Sequence, residues 1–174
     1  MTGVQTCALP ISFGLPLLAT GLFAGLCAPA WAADPTDIAE GMRIFHTKAN
    51  CQACHGWAGD GRKTDNQMPD GANLRESKLD RDSLVMIVKC GLPGTGMPAY
   101  DRLAYSDGRC HGLQKSDLDK QGTRLFDAPA TLQPREVEMV ADFLIDKIVG
   151  KGALTRAACN DLSAGDDAAC RDVK

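Results

Sequence analysis

The residues best placed to do chemistry sit together at Cys51-Gln52-Ala53-Cys54-His55. Two thiols three residues apart can form thioethers to the two vinyl groups of a haem. An imidazole directly after the second thiol then lies under the iron. This is the C-x-x-C-H spacing of c-type haem attachment. Two other chemistries share part of the pattern. A thiol–disulfide redox centre needs a preceding strand and a βαβ setting, and neither is visible around Cys51. A structural zinc needs four ligands, and the chain has no second C-x-x-C and no H-x-x-x-H pair. The motif therefore implies one covalent haem c, with its iron, at Cys51, Cys54 and His55.

Helices must present these residues. Asp37 to Asn50 has the pattern of one: Asp37 can cap it, Glu40 stands in capping-box position, and Ile38, Met42, Phe45 and Ala49 form an apolar stripe. A polar, glycine-bearing loop runs from His55 to Asn73. A short helix is expected from about Asp80 to Cys90, with Leu84, Ile87 and Val88 inward and Gly91 as the stop. Leu92 to Tyr100 is a Gly/Pro loop that carries Met97. The connection from Asp101 to about Leu132 is long for a compact domain, so it is functional or pinned. Pro134 then opens the strongest helix, with Glu136 and Glu138 early, Lys147 late and Gly150 after it. Val137, Val140, Ala141, Leu144, Ile145 and Ile148 make its apolar face. There is no internal repeat and no strand-like alternation, so the fold class is all-α with long loops.

The 174 residues suit one domain with appendages, and a net charge of −3 leaves no electrostatic footprint for nucleic acid. None of the charged residues falls in residues 1–32. Phe13 to Ala33 is an apolar run, and Ala30-Trp31-Ala32 fits the cleavage pattern of a secretory signal. No Lys or Arg precedes that run, and the opening MTGVQTCALPIS resembles the translation of a sequencing-library adapter that has replaced a basic start. Cys27 follows bulky Leu26, which argues against a lipoprotein cysteine. The expected organisation is thus 1–32 adapter-derived start and signal peptide, 33–150 a haem domain, and 151–174 a polar tail. Export to the periplasm follows, with membrane attachment only if the apolar segment stays uncleaved. Eight cysteines also suit an oxidising compartment.

The order helix, C-x-x-C-H, loop, short helix, Met-Pro loop and terminal helix resembles a class I monohaem c-type cytochrome over about Asp37 to Gly150, with a cysteine-containing insertion after the methionine loop. The resemblance implies three main helices around one covalent haem. It implies that Gly41 permits close approach where the first helix crosses the last, with Phe45 and Phe143 beside it. Gly71-Ala72-Asn73-Leu74 is similar to the family's G-P-N-L segment, whose proline carbonyl accepts a hydrogen bond from the axial histidine; here alanine stands in the proline's place.

A haem iron also needs a ligand opposite His55. Of six methionines, Met42, Met86 and Met139 lie within helical patterns where core packing is the simpler role. Met68 and Met97 both precede proline. Gly94-Thr95-Gly96-Met97-Pro98 resembles the family's methionine loop, which favours Met97 over Met68. His46 and His111 are the rivals for bis-histidine ligation; His46 reads as edge packing on the first helix, and His111 stays open. A thioether ligand raises the potential and suits one-electron transfer.

Four cysteines remain, Cys90, Cys110, Cys159 and Cys170, and they allow three pairings. Proximity favours Cys90–Cys110 and Cys159–Cys170. The first would enclose Met97 and stabilise the domain by about 3 kcal/mol on chain-entropy grounds, as a loop staple, as a support for the methionine ligand, or as both. A sixth ligand argues for an electron carrier and against an enzyme. Expected partners are an exported dehydrogenase as donor and a cytochrome or terminal oxidase as acceptor. The alternatives are a dedicated cytochrome subunit of a quinoprotein-type dehydrogenase and a peroxide-reducing haem enzyme whose Met97 leaves on reduction. Lys48, Lys63, Lys78 and Lys89 are candidates for partner docking around the haem edge.

Overall fold

The first helix, α1 (Pro35–Arg43), opens at Asp34, ahead of the cap expected at Asp37. The Asp34 carboxylate accepts the Thr36 N–H at 2.8 Å, and Pro35 takes the first helical position, where its missing N–H costs nothing. The ladder then widens into a π turn, Ile44–Lys48, closed by the Ala49 N–H on the Ile44 carbonyl at 2.9 Å. In this computed structural model the described residues are 33–163, 170, 171 and 173. The adapter-like start, the signal segment, Cys7 and Cys27 lie outside them. Among the described residues no helix is long and apolar enough to cross a membrane.

The other helices are α2 (Gln52–His55), α3 (Arg81–Cys90), α4 (Lys115–Lys120), α5 (Pro134–Phe143) and α6 (Arg156–Leu162). The fold is all-α; the described residues hold no strand, only an isolated bridge between Cys110 and Leu113. Asp80 caps α3 by accepting the Ser83 N–H at 2.8 Å, and Gly91 ends it with φ +63°, as the sequence predicts. Gln133 and Glu136 form a capping box on α5, which continues through a second π turn, Leu144–Ile148.

The main core lies where α1, α3 and α5 meet. Ile44, Phe45, Val140, Ala141, Phe143 and Ile148 are all fully enclosed there. Gly41 sits at the crossing of α1 and α5. A Cβ on it would stand 2.6 Å from the Met139 carbonyl carbon and 2.9 Å from Phe143 Cβ. Only glycine lets the two backbones meet so closely, and the Phe45 and Phe143 rings pack beside the crossing at 5.6 Å. Lys48 pairs with Glu136 and Arg81 with Asp142, which adds modest electrostatic ties to α5. Met42 and Met139 are partly buried against the core as expected, but Met86 is exposed on the outer face of α3.

The segment from Asp101 to Leu132 has its own small core. Tyr105, Leu118 and the Cys90–Cys110 disulfide are its buried residues, with Ala99, Leu113 and Leu125 packed against them. Its two ends meet, because the Leu132 N–H donates to the Tyr100 carbonyl at 2.9 Å. The connection is pinned, and it contains the short helix α4, which its sequence pattern did not reveal. The tail likewise holds α6, stapled by the Cys159–Cys170 disulfide. Both disulfides follow the pairing that proximity favours.

Candidate functional site

The turn that carries the thiols is built by the end of α1. Asn50 takes φ +49°, a left-handed conformation that asparagine tolerates better than most residues, and redirects the chain from the π turn into α2. The Cys51 N–H donates back to the Phe45 carbonyl at 2.9 Å, and the His55 N–H to the Cys51 carbonyl at 2.9 Å. Cys51, Cys54 and His55 therefore share one helical turn. Gly56, at φ +84°, then releases the chain into the following loop.

The His55 ring is oriented by that loop. Its Nδ1–H donates to the Ala72 carbonyl at 2.9 Å. Alanine thus supplies the contact that the sequence resemblance assigns to a proline carbonyl. Gly71 makes the approach possible: a Cβ there would stand 2.7 Å from the Cys54 carbonyl oxygen and 2.8 Å from His55 Nδ1. With Nδ1 protonated and engaged, Nε2 is the nitrogen left to ligate a metal. Burial lowers the His55 pKa against the opposing effect of the Ala72 hydrogen bond, which favours the neutral, ligating imidazole.

Cys51 and Cys54 are free thiols, whereas Cys90, Cys110, Cys159 and Cys170 are all in disulfides. Burial pushes the Cys51 thiol up to about 12 and raises Cys54 too. A thiol-redox pair works the other way, through a thiolate stabilised by its surroundings. Among the described residues no group of three or more His, Cys, Asp or Glu side chains converges on a metal position. The donor set is thus two protonated, unpaired thiols and one oriented imidazole. These residues fit a covalently attached haem, which would take the two thiols into thioether bonds and His55 Nε2 as a ligand to its iron.

Met97 lies in the loop that leaves α3. Its side chain packs partly buried against the main core. Its N–H donates to Thr95 Oγ1 at 3.2 Å and its carbonyl accepts the Leu92 N–H at 3.1 Å. Gly96 packs on Pro69, where a Cβ would meet the ring at 2.5 Å, so the Met97 loop touches the loop that orients His55. Met68 is exposed, and its carbonyl accepts from Lys63 Nζ at 2.9 Å. His111 is exposed at a turn with φ +57°. His46 is half-buried among Phe45, Trp57 and Phe143, with Nδ1 3.3 Å from Gln52 Oε1 and Nε2 buried without a partner.

Two residues of this region escaped sequence reasoning. Tyr100, three positions past Met97, is buried and donates its hydroxyl to the Ala49 carbonyl at 2.7 Å, tying the methionine loop to the turn before Cys51. Arg75 is buried and donates from Nε to the Gly152 carbonyl at 2.7 Å. The tyrosine's place at the end of a Gly/Pro loop was a weak cue, and nothing in the pattern marks a buried arginine. Of the four lysines considered for docking, Lys48 is paired with Glu136 and Lys63 with Asp70.

The helical fold, the C-x-x-C-H turn and a family match over residues 36–107 support a monohaem c-type cytochrome domain there, with a covalent haem c and its iron as cofactor and electron transfer as its chemistry. Residues 36–107, which include the thiols, His55 and Met97, match the family model described as cytochrome C oxidase, cbb3-type, subunit III. Comparison with curated proteins and with solved structures gave no match.

Proposed function

We propose that the protein is an exported, periplasmic one-electron carrier. In this reading Cys51 and Cys54 form the thioethers, and His55 and Met97 are the axial ligands. The haem supplies a ferric/ferrous couple whose potential a thioether ligand raises. The chain's part is to hold His55 through the Ala72 carbonyl, keep the ligand loop closed on the core, and exclude water from the iron's surroundings. The observation that carries the reading is the shared turn of two free thiols and a histidine whose Nδ1 is already committed.

Export is supported by the apolar, charge-free segment before Ala33 and by two disulfides, which persist in oxidising compartments. Residues 33–150 would be the cytochrome unit and 151–174 an appended tail. A dehydrogenase as donor and a cytochrome or oxidase as acceptor complete the role. The matching family is described as a subunit of a cytochrome c oxidase, which agrees with such an acceptor.

The test is spectroscopic. Haem should stay with the denatured chain. The ferric protein should show the near-infrared methionine-to-iron charge-transfer band, and Met97→Ala should abolish it. Rapid carbon monoxide binding by the reduced wild type would favour the peroxide-reducing alternative. Loss of the band in Met68→Ala instead would transfer the ligand assignment to Met68.

A further inference from the structure

The segment 101–132 is attached to the rest of the chain at the places that hold the Met97 loop. The loop leaves α3 at Cys90 and returns to the last turn of that helix: the Tyr100 N–H donates to the Val88 carbonyl at 3.2 Å and the Asp101 N–H to the Lys89 carbonyl at 3.0 Å. At this base the insertion supplies two ties. Cys110 forms the disulfide with Cys90, and the buried Tyr105 donates its hydroxyl to the Cys90 carbonyl at 2.8 Å. Near the tip the Gly94 N–H donates to the Arg124 carbonyl at 3.0 Å. Between these points Ala99 packs into the insertion's own core. Base, flank and tip of the methionine loop are all held by one closed segment whose ends meet at Tyr100 and Leu132.

We infer that residues 101–132 are a clamp whose task is to position the Met97 loop, with Cys110, Tyr105 and Arg124 as its contact points. This rests on the assignment of Met97 as ligand and goes beyond it. The loop carries four positive-φ or proline breaks, at Gly91, Pro93, Gly94 and Pro98, and its own backbone bonding is sparse. A segment with few internal hydrogen bonds opens readily unless its surroundings restrain it. The insertion supplies that restraint through one covalent and two hydrogen-bonded ties. Ligand retention then does not depend on the strength of the iron–sulfur bond alone.

The experiment uses the full holoprotein, with Cys90→Ala/Cys110→Ala and Tyr105→Phe as variants and Cys159→Ala/Cys170→Ala as the disulfide control. Two readouts are taken: amide hydrogen exchange of residues 91–100, and carbon monoxide binding by the reduced protein. The clamp predicts exchange at Leu92, Gly94 and Tyr100 faster by roughly ten- to a hundredfold in the double variant, the range a cross-link of this loop size can control. Carbon monoxide should bind faster by a similar factor. Tyr105→Phe should give a smaller change of the same sign, and the control pair should behave as wild type. Unchanged exchange and unchanged carbon monoxide binding in both clamp variants would overturn the inference. If the double variant does not mature, Tyr105→Phe decides alone. Loop exchange that rises while Met97→Ala keeps the charge-transfer band would retain the clamp and remove the ligand assignment, so the two failures are distinguishable.

Discussion

Replacing Gly41 by alanine tests the crossing on which the whole site is hung. In an ordinary helix the change stabilises, by about 0.5–1 kcal/mol, because alanine loses less conformational freedom than glycine. Here the added Cβ would meet the Met139 carbonyl group and Phe143 Cβ, with the carbonyl carbon at 2.6 Å and Cβ at 2.9 Å. The obstacle is mostly helix backbone, which cannot rotate aside as a side-chain tip can. The two helices must separate, at an overpacking cost of about 1–3 kcal/mol, towards the upper end. Separation also loosens the Phe45–Phe143 pair, worth about 0.5–1.5 kcal/mol beyond its buried area. The net expectation is a loss of about 2 kcal/mol, or a melting temperature lower by about 5–10 °C for a domain of this size. Thermal and urea unfolding of the holoprotein, followed by far-UV circular dichroism, measure it. Gly41→Val should fall further, since it adds two methyl groups at the same spot and a β-branch. A Gly41→Ala protein as stable as wild type, or more so, would refute the close crossing.

Two further outcomes follow from the surroundings of His55 and His46. Gly71→Ala forces a Cβ to within 2.8 Å of His55 Nδ1, so the Ala72 carbonyl must withdraw. The imidazole becomes less basic, the ferric state loses support, and a redox titration should show a higher midpoint potential, with a stability loss of about 1–3 kcal/mol. An unchanged potential would mean that Ala72 does not tune the ligand. For His46, burial holds the pKa below its ordinary 6.5 against the raising effect of Gln52, and no charged side chain contributes to the shift. The folded state therefore favours the neutral ring, and the stability it confers is complete above the unfolded value. It falls as pH drops below about 6.5, by at most about 1.4 kcal/mol per pH unit, and levels off below the folded pKa. Urea unfolding between pH 7 and pH 5 should show a shallower decline for His46→Gln than for wild type; parallel curves would exclude His46 as the source.

Helices with strong local punctuation were readable before any coordinates. Asp80 and Gly91 bracket α3, and Pro134 opens α5, because capping and proline chemistry act within a few residues. The same chemistry at Asp34-Pro35 competes with Asp37, whose capping-box partner Glu40 offers a second signal three residues on, and the structure uses Asp34. The π turns left no such mark. Phe45 lies within the first and Phe143 directly precedes the second, so both turns sit at the crossing of α1 and α5. A window of one chain segment does not contain that information. Helices α4 and α6 were missed for a different reason. Each buries only one or two residues of a single short turn or two, Leu118 in one and Cys159 with Leu162 in the other, which is too little for a periodic signal.

The site divides along the same line. Cys51, Cys54 and His55 stand out in the sequence because covalent haem attachment demands adjacency, and a helical turn converts adjacency into convergence. The partners that make the turn useful are remote: Ala72 for the imidazole, Tyr100 for the backbone before Cys51, Pro69 against Gly96. Of these only Ala72 was foreseen, and only through resemblance, since a backbone carbonyl carries no residue signature. The insertion shows the limit most plainly. Its length marked it as pinned or functional, and its cysteine suggested the disulfide, but what it grips is set by main-chain bonds from Gly94 and Tyr100 and by a hydroxyl from Tyr105. Main-chain groups are the same in every residue. A clamp built from them can be recognised only once the chain has folded back on itself.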